Sequence, residues 1–306
     1  MNLQYLRYAL EVARTGSISK AAENLSVAQP NLSRAMKELE GDIGIAVFDR
    51  TRTGMSVTPE GEKLLAAGER ILRDVADLET MFASEEAPRE ALTVTAPHAA
   101  YISHAFARFC RELPSDGRYD LAYREVGAAE AMGAVARGES RLGIVRYPAR
   151  FESYYTGLFS EREFSAETVA ELYPVIVAGV GSPLARNATV SSDALVNLCE
   201  ITSPDALGTE ALGTGAGDVE TVPRRRLAVT ERAARYDMLC ADSETYMRSL
   251  PMPAEVTTRY GLLQRSLTVP GGAYRDVLIY PDHYRLTPLD KRLLAILREV
   301  AKSCNP

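Results

Sequence analysis

The chain has 306 residues, of which 46% are hydrophobic and 25% charged, a composition typical of a globular protein with about two domains. It has no run of eighteen apolar residues, and Gln4 and Arg7 interrupt its N-terminus, so we expect neither a membrane span nor a signal peptide and expect a cytoplasmic protein. The cysteines and histidines are widely separated, so we expect buried free thiols, no metal and no cofactor.

The net charge of −6 is unevenly distributed along the chain. Residues 1–58 contain seven basic and six acidic side chains, whereas the rest of the chain contains 28 basic and 35 acidic ones. An acidic surface is repelled by the phosphates of nucleic acid. Any contact with DNA is therefore expected in the N-terminal segment, although this distribution alone does not establish DNA binding.

The first predicted element is an amphipathic helix that ends near Gly16. Its apolar residues recur at helical spacing, at Leu3, Leu6, Leu10 and Ala13. A glycine just after the last apolar position commonly ends a helix. We expect this helix to support the two that follow.

Residues 17–40 predict two short helices joined by a tight turn, with Ser17 as the first N-cap. Their apolar faces consist of Ile18, Ala21, Ala22 and Leu25 and of Leu32, Ala35, Met36 and Leu39. The opposite face of the second helix is polar and basic, with Gln29, Pro30, Ser33, Arg34 and Lys37. Its donors match the acceptors that base edges and phosphates present in a major groove. The pattern indicates a helix-turn-helix, although amphipathic hairpins also occur in ordinary helical domains.

Residues 45–58 predict a small β-hairpin with Arg50 and Arg52 near its tip. Most charged loops are simply solvated surface. Beside a recognition helix, however, arginines at a hairpin tip can reach phosphates or a narrow minor groove. The hairpin is therefore interpreted as a wing.

Thr58 and Pro59 mark a strong helix start, with a capping side chain followed by proline at the first helical position. The helix they begin carries apolar or small residues at alternating spacings of four and three, namely Leu64, Gly68, Ile71, Val75, Leu78 and Phe82. This is a heptad seam. We expect it to pair with a second copy of the chain, the alternative being packing on its own domain.

Residues 84–91 are charged, contain Pro88 and lack periodicity, which is typical of a hinge. From residue 92 onward, predicted strands alternate with helices, and the last helix, 288–302, begins with a capping box at Thr287 and Asp290. This alternation predicts an α/β architecture with mostly parallel sheets. In such sheets ligands bind at the carboxyl ends of the strands.

Residues 1–65 resemble the DNA-binding region of the LysR-type transcriptional regulators. The resemblance is dense and in register through Leu3, Leu6, Ala13, Gly16, Ser17, Ala21, Ala22, Leu25, Gln29, Pro30, Leu32, Ser33, Leu39, Glu40, Gly44, Phe48, Arg50, Thr58, Pro59 and Gly61. Ala28 departs from it, because the family usually has a serine or threonine there that caps the recognition helix. Losing such a cap costs about 1 kcal/mol.

The C-terminal part resembles the effector-binding domain of the same family more thinly. The matching pieces are 135–145 (VARGESRLGIV), 183–185 (PLA) and the TPLDKRLLAILREV ending. The resemblance implies two periplasmic-binding-protein-like subdomains with a cleft between them. Ala99 and Ala100 stand where members often offer a hydroxyl to the effector, and 241–244 replace a usual glycine-rich turn.

The predicted fold class is α/β, with an N-terminal winged helix-turn-helix (1–58), a long linker and dimerisation helix (59–83), a hinge (84–91) and a C-terminal periplasmic-binding-protein-like two-subdomain α/β effector domain (92–306). Subdomain I is predicted to comprise 92–161 and 267–306, and subdomain II 162–266.

Three sets of site residues follow from these predictions. The DNA-binding set is Gln29, Pro30, Asn31, Ser33, Arg34, Lys37, Arg50 and Arg52. The dimerisation set is Leu64, Ile71, Val75, Leu78 and Phe82. The effector set, chosen by strand-end position, is Thr95, His98, Tyr101, Gly127, Arg146, Tyr147, Thr202, Ser203 and Asp205. Arg146 either pairs with a nearby carboxylate or faces the cleft, where it would favour an anionic effector.

We expect a sequence-specific regulator that binds a double-stranded DNA operator as a dimer or tetramer and responds to a small-molecule effector, with RNA polymerase as a further candidate partner. One alternative is an oligomeric small-molecule-binding protein without DNA binding. Another is a redox-sensing regulator using Cys199 and Cys240. We expect no enzyme, because the SxxK pattern at Ser17 is explained by capping and the glycines at 213, 215 and 217 lack a phosphate-binding frame.

Overall fold

The computed structural model describes residues 2–51, 54–83, 89–202, 223–268 and 272–304, with the side chains at 50, 51, 73, 74, 77 and 79–83 excepted. The chain divides into two compact units. The first contains Met1–Ala91 with the short segments Arg118–Asp120 and Ala136–Glu139, and the second contains the remainder. Among the described residues, no helix is both long and apolar enough to cross a membrane.

The N-terminal unit is a winged helix-turn-helix followed by a long helix, as the sequence predicts. Its elements are α1 (Leu3–Thr15), α2 (Ile18–Asn24), α3 (Gln29–Ile43), β1 (Phe48–Thr51), β2 (Gly54–Val57) and α4 (Pro59–Ala83). Ser17 caps α2 by accepting a hydrogen bond from the Lys20 backbone N–H. Gly16 ends α1 in the left-handed conformation, with φ of 62°, which glycine adopts without steric cost.

The core of this unit joins the apolar faces of the first three helices. It contains Leu6, Ala9, Val12, Ala21, Ala22, Leu32, Ala35, Met36, Leu39, Val47, Phe48 and Leu65. The predicted faces of α2 and α3 are confirmed. In α1 the prediction is partly wrong, because Ala9 and Val12 are buried whereas Leu3 is 38% exposed. The fully buried positions of α1 are therefore 6, 9 and 12, whereas the predicted stripe was 3, 6, 10 and 13.

The hairpin of β1 and β2 is antiparallel, with Phe48 opposite Val57. It is attached to the helices at its base, since the Met55 N–H donates to the Gly16 carbonyl (2.8 Å) and Glu40 accepts from the Val47 N–H (2.8 Å). Gly54 has φ of 143°, and a Cβ there would lie 2.5 Å from the Gly16 carbonyl oxygen. The wing therefore requires glycine at this position.

Helix α4 packs on α1 along its first half, which corrects one member of the predicted heptad seam. A Cβ at Gly68 would lie 3.1 Å from Leu6, so Gly68 belongs to the face that packs on the unit's own core. Leu65 is buried on the same face. Gly68 is therefore a point of close helix approach within the chain. The helix starts as predicted, with the Thr58 hydroxyl accepting from the Gly61 N–H at 2.9 Å.

The C-terminal unit contains two sheets. The first sheet has the order β4-β3-β5-β13-β6, with β3 (Glu90–Ala96), β4 (Tyr119–Glu125), β5 (Leu142–Pro148), β6 (Phe164–Leu172) and β13 (Tyr274–Pro281). The second has the order β10-β9-β11-β7-β12-β8, with β7 (Val175–Gly179), β8 (Thr189–Val190), β9 (Cys199–Thr202), β10 (Arg225–Ala228), β11 (Thr245–Ser249) and β12 (Leu262–Leu267).

Helices connect these strands and cover the sheets. They are α5 (Ala100–Arg111), α6 (Ala128–Ala136), α7 (Glu152–Glu161), α8 (Ser192–Leu195), α9 (Arg232–Ala241), α10 (Ala254–Arg259) and α11 (Pro288–Cys304). The capping box of α11 is confirmed, because Asp290 accepts from the Thr287 N–H (2.8 Å) and Thr287 accepts from the Asp290 N–H (3.2 Å). The predicted two-subdomain α/β architecture is present.

Two details of the predicted architecture are wrong. Both sheets are mixed, since β13 runs antiparallel to β5 and β6, and β7 antiparallel to β11 and β12. The prediction of mostly parallel sheets is wrong because it did not include these antiparallel strands. The boundary at 161 is also too early, because β6 pairs with β13 along its whole length and so belongs to the first sheet. The chain passes to the second sheet after Leu172.

Candidate nucleic-acid interface and effector site

The outward face of α3 carries the side chains predicted to contact DNA. They lie on one side of the helix and are exposed or half-buried: Gln29, Pro30, Asn31, Ser33, Arg34 and Lys37. The other side is buried in the core through Leu32, Ala35, Met36 and Leu39. A helix fixed on one side and polar on the other can present its outward side chains to a duplex groove without rearranging.

Arg34 is the most precisely positioned cation of this face. Its Nε donates to Glu38 at 2.8 Å, and the Arg34 side chain remains 82% exposed. The other oxygen of Glu38 accepts from the Tyr5 hydroxyl at 2.7 Å. These bonds from Tyr5 and Arg34 lower the pKa of the Glu38 carboxyl, so the carboxylate stays ionised at neutral pH.

The start of α3 lacks a side-chain cap. Ala28 has the extended backbone of an N-cap residue, with φ of −68° and ψ of 132°, but its methyl group accepts no hydrogen bond. Pro30 partly compensates, because a proline in the first turn needs no acceptor and already has a helical φ. The turn before the helix also places Ser26 at a positive φ of 54°.

The two wing arginines, Arg50 and Arg52, complete the predicted DNA-binding set. Arg50 lies in β1 with its side chain outside the described residues, and Arg52 lies outside them altogether. Their contact with DNA stays a prediction from the sequence. The base of the wing is anchored to Gly16 and Glu40.

The second half of α4 exposes apolar side chains of the predicted dimerisation set. Leu78 is 58% exposed and Ile71 is 36% exposed, whereas Val75 is half-buried. Leu64 lies in the first half of α4, is half-buried and packs against the core of its own unit. The side chain of Phe82 lies outside the described residues. Apolar side chains left in solvent along one helix are typical of a surface covered by a partner.

In the C-terminal unit, the two predicted effector residues Tyr101 and Arg146 are already engaged with Asp276. Arg146 donates from Nε and Nη2 to the two oxygens of Asp276, at 2.7 and 2.6 Å, and from Nη1 to the His98 carbonyl at 3.1 Å. The Tyr101 hydroxyl also donates to Asp276, which is only 1% exposed. Of the two alternatives for Arg146, the structure therefore shows pairing with a carboxylate.

Burial and the nearby carboxylate determine the protonation of this group. Burial and the Asp276 charge hold the pKa of Tyr101 well above its usual range, so the phenol stays neutral. For Arg146, burial alone would lower the pKa, but the Asp276 carboxylate outweighs it and raises the pKa. Tyr101, Arg146 and Asp276 form a satisfied buried network and are not free to bind an anion.

His98 belongs to a second network that links the two sheets. Its Nδ1 lies 2.8 Å from Glu125, whose other oxygen accepts from Arg232 and from the Tyr123 hydroxyl. Arg232 is in α9 and also donates to Ser103 in α5 at 2.9 Å. A residue following β10 of the second sheet is thus tied to α5 and β4 of the first.

The remaining effector candidates are divided. Thr95 is buried, with its hydroxyl 3.4 Å from the Leu142 carbonyl. Tyr147 is buried on the opposite side of β5 from Arg146 and stacks on Tyr155 with a centroid distance of 4.3 Å, so it belongs to the core. Gly127 and Thr202 follow or end strands as predicted. Ser203 and Asp205 lie outside the described residues.

A groove of about 190 Å³ lies between α5, α9 and α10. Four arginines line it, Arg108, Arg111, Arg232 and Arg259, and none of its lining residues in the described part of the chain is acidic. Arg108 is paired with Glu112 (2.6 Å) and Glu299 (3.0 Å), neither of which lines the groove. Arg259 forms no ion pair with any described residue. The groove is therefore a cationic space that the chain itself leaves partly unneutralised.

The cysteines give little support for the redox alternative. All four are free, as expected, but the expectation that they are buried is wrong for Cys110 and Cys240, which are exposed. The Cys240 thiol donates to the Tyr260 carbonyl. Partial desolvation and then the nearby Asp237 charge raise the pKa of Cys240, which lowers the fraction of reactive thiolate. A sensor cysteine requires the opposite shift.

Sequence reasoning missed Asp276, Glu125, Arg232 and Ser103. Asp276 carried a usable signal, since a carboxylate inside the apolar run of β13 is unusual unless it is paired. Arg232 carried a weaker one, as a cation in the first turn of α9, where cations are not favoured by the helix dipole. Glu125 and Ser103 carried no signal for this link, because the partner that they share, Arg232, is more than 100 residues away in sequence.

The N-terminal segment of the chain matches the model of a known family. The model for the bacterial regulatory helix-turn-helix protein, lysR family, matches residues 3–62. The uncharacterised HTH-type transcriptional regulator YcgK of Bacillus subtilis is 40% identical over 78 residues, which are 26% of this chain and 24% of that protein. The HTH-type transcriptional regulator CzcR of the same organism is 27% identical over 188 residues, which are 59% of this chain and 65% of CzcR. The matched segments thus span less than two thirds of either relative.

A solved structure extends the similarity to the whole fold. One such structure is full-length LysG of Corynebacterium glutamicum, solved with its effector arginine bound. Its superposition on this chain covers 100% of both chains, with a TM-score of 0.63 and 16% sequence identity. At this identity the similarity concerns the fold alone. The fold comprises the N-terminal helix-turn-helix unit and the C-terminal α/β unit.

Proposed function

We propose that this chain is a transcriptional regulator of LysR type, which binds a specific double-stranded DNA operator and regulates transcription in response to a small molecule. The observation that carries the proposal is the exposed polar and basic face of α3, opposite a side that is fully buried in the core. Such a regulator acts in the cytoplasm, where bacterial duplex DNA lies.

The side chains of α3 would make two kinds of contact with the duplex, to base edges and to the DNA backbone. Gln29, Pro30, Asn31, Ser33 and Arg34 lie toward the helix N-terminus and would contact base edges and neighbouring phosphates. Lys37, one turn further on, would contact the DNA backbone together with Arg50 and Arg52 of the wing. Base contacts set the sequence preference, and backbone contacts set the affinity for any duplex.

Two copies of the chain would act together. The apolar side chains of Ile71 and Leu78, exposed along α4, support pairing with a second α4. Val75 and Phe82 would extend the seam, and Leu64 would stand at its start, where it also packs against the core of its own unit. Gly68 faces Leu6 and takes no part. A dimer presents two recognition helices to a dyad-symmetric site, which multiplies the modest affinity of one helix. Association into tetramers and contact with RNA polymerase are further parts of this proposal.

A matched pair of arginine variants tests the DNA-binding assignment. Arg34→Ala removes a cation from the outward face of α3, and we expect it to weaken binding to the preferred duplex and relax the sequence preference. Arg14→Ala is the control, because Arg14 is also exposed (67%) and also paired with a glutamate of its own helix, at 2.5 Å, but lies on α1. Mobility-shift titrations should separate the two variants. Equal affinities for Arg34→Ala and the wild type would refute the assignment.

The C-terminal unit is proposed to bind a small organic anion as effector. The four arginines of the groove between α5, α9 and α10 support an anion. His98 is linked to Arg232 of the groove through Glu125, so it stays a candidate by this link as well as by strand-end position. Gly127, Thr202, Ser203 and Asp205 stay candidates by strand-end position. A ligand that contacts both α5 and α9 would change how the two sheets are held together. Through this change it would alter how the protein binds its operator.

A thermal-shift screen of the full chain against inorganic phosphate and small mono- and dicarboxylates tests this part. A ligand at 100 times its Kd stabilises the native state by about 2.7 kcal/mol. We expect one or more anions to raise the melting temperature and Arg259→Gln to abolish the rise. Arg225→Gln, which removes an exposed arginine from β10, should keep it. An equal rise in wild type and Arg259→Gln would exclude the groove.

A further inference from the structure

Three side chains from two helices form a continuous hydrogen-bonded series at the candidate DNA interface. The Tyr5 hydroxyl of α1 donates to one Glu38 oxygen at 2.7 Å, and Arg34 Nε donates to the other at 2.8 Å. Glu38 and Arg34 are both on α3, four residues apart. We call these residues the Tyr5–Glu38–Arg34 series.

Tyr5 makes this series different from an ordinary surface ion pair. An exposed pair four residues apart on a helix is weak and fluctuates, since both side chains are long and solvated. Tyr5, however, is half-buried and packs on the same core as Leu6 and Leu39. Its hydroxyl is therefore a fixed donor from a neighbouring helix, and it restricts the Glu38 side chain that restricts Arg34.

The bonding leaves Arg34 able to contact DNA. Glu38 takes the Nε–H, and Arg34 has no other hydrogen bond to a described residue. The four N–H groups on its terminal nitrogens therefore donate to no described residue. Two of them, one on each nitrogen, can donate to the O6 and N7 acceptors of one guanine, the commonest base-specific contact in protein–DNA complexes.

We propose that Tyr5 and Glu38 are positioning residues for base recognition: they hold Arg34 in one orientation for a specific base and cancel its charge toward other duplexes. This inference rests on the proposed DNA-binding function and adds a residue of α1 to it. Preorganising a donor reduces the entropy that it loses on binding, which favours the matching sequence. The Glu38 carboxylate at the same time repels phosphate, which lowers the affinity for unrelated sequences.

Tyr5→Phe tests the positioning role, with Tyr8→Phe as its control. Both variants remove one hydroxyl from α1 and leave the charge unchanged, and Tyr8 makes no hydrogen bond to any described residue. The preferred duplex is selected from a random pool with wild-type protein, and the specificity ratio is its affinity divided by that for a scrambled duplex. One bidentate arginine–base contact supplies on the order of 10-fold or more of this ratio. We expect Tyr5→Phe to lower the ratio by about threefold or more, and Tyr8→Phe to leave it unchanged.

Glu38 variants separate geometry from charge. Glu38→Gln keeps an acceptor oxygen but removes the charge, so we expect tighter binding to the scrambled duplex and a salt dependence steeper by about one phosphate contact. Glu38→Ala removes both acceptor and charge, and should also lower the specificity ratio further than Glu38→Gln does. A purely structural role of Glu38 would weaken binding to both duplexes equally and would leave the salt dependence unchanged.

Two results would overturn the proposal, and they are distinguishable. A specificity ratio in Tyr5→Phe equal to those of wild type and Tyr8→Phe, with the wild type binding DNA, overturns the positioning role alone. Failure of the wild type to bind any selected duplex overturns the proposed function and this inference with it. Circular dichroism melting of Tyr5→Phe and Tyr8→Phe establishes that both variants are folded at the assay temperature.

Discussion

Replacing Arg146 by alanine is expected to destabilise the C-terminal unit severely. Arg146 makes two hydrogen bonds to Asp276, at 2.7 and 2.6 Å, and Asp276 is only 1% exposed. Among the described residues, the truncation leaves the buried Asp276 carboxylate with the Tyr101 hydroxyl as its one side-chain partner. Removing one member of a buried ion pair typically costs about 3–5 kcal/mol, because the remaining charge is neither solvated nor paired.

The same cost can be expressed as a melting temperature. For a domain of 150–250 residues, each kcal/mol shifts the melting temperature by roughly 2–4 °C, so we expect Arg146→Ala to lower that of the C-terminal unit by about 6–20 °C. Differential scanning calorimetry of the full chain measures the shift. The control is Arg225→Ala, since the pair of Arg225 with Glu244 is 54% and 64% exposed and should contribute about 0–1 kcal/mol.

A combined variant tests whether the loss comes from the unpaired carboxylate. Replacing all three partners by apolar residues, as Tyr101→Phe, Arg146→Met and Asp276→Leu together, leaves no buried charge and should recover most of the stability lost in Arg146→Ala. A melting temperature of Arg146→Ala within about 2 °C of the wild type would correspond to less than 1 kcal/mol. It would refute the reasoning about this network.

Three further predictions concern the N-terminal unit, and calorimetry of its transition measures each. Gly54→Ala forces a Cβ to within 2.5 Å of a backbone oxygen at φ of 143° and should cost about 1–3 kcal/mol of stability. As a control, the Cβ of Gly41→Ala meets nothing within 4 Å, so this variant should stabilise the unit by about 0.5–1 kcal/mol. Equal effects of the two variants would contradict this account of the wing. Ala28→Ser supplies the absent cap and should stabilise by about 1 kcal/mol, so an unchanged melting temperature would refute the capping argument. Hydrogen bonds from Arg14 and Asn24 lower the pKa of Glu11 from 4.5 to about 2, so its stabilisation is present above pH 4.5 and is lost as the pH falls toward 2. Glu11→Gln should flatten the pH dependence in that window, and an unchanged dependence would contradict the assignment.

The N-terminal unit was predictable because its structure is set by local signals. Ser17, Gly16 and Pro59 mark helix ends, and the apolar spacing of α2 and α3 identifies their buried faces. Each of these signals acts within a few residues of the element that it specifies. The packing of Gly68 on Leu6 was not predicted. A heptad pattern does not show which face of a helix packs on its own domain and which face packs on a partner.

The effector region was less predictable because its contacts join distant parts of the chain. The partner of Arg146 is 130 residues away, and the partner of Arg232 on β4 is 107 residues away. Strand-end position correctly placed His98, Tyr101 and Arg146 near one another. It could not show that Tyr101 and Arg146 already donate hydrogen bonds to Asp276. Tyr147 was misplaced because neighbouring residues of a strand point to opposite sides.

The mixed sheets were missed for a similar physical reason. The residues of β6 and β13 predict strands but not their direction, and direction depends on which strand the chain returns beside. The pairing of Phe164 with Pro281 and of Leu172 with Tyr274 fixes an antiparallel register over more than 100 residues of intervening sequence. Local periodicity contains no information about this pairing.

The most direct test of the central claim is duplex selection with the full-length wild-type chain, followed by measurement of its affinity for the selected sequence at increasing salt. If the outward face of α3 enters the major groove in two copies, the selected DNA will contain two related half-sites separated by about 10 base pairs or a multiple of that distance. The affinity will then fall steeply as salt rises, because several phosphates are contacted. A selected pool with no enriched sequence, or an affinity that does not change with salt, would contradict the account.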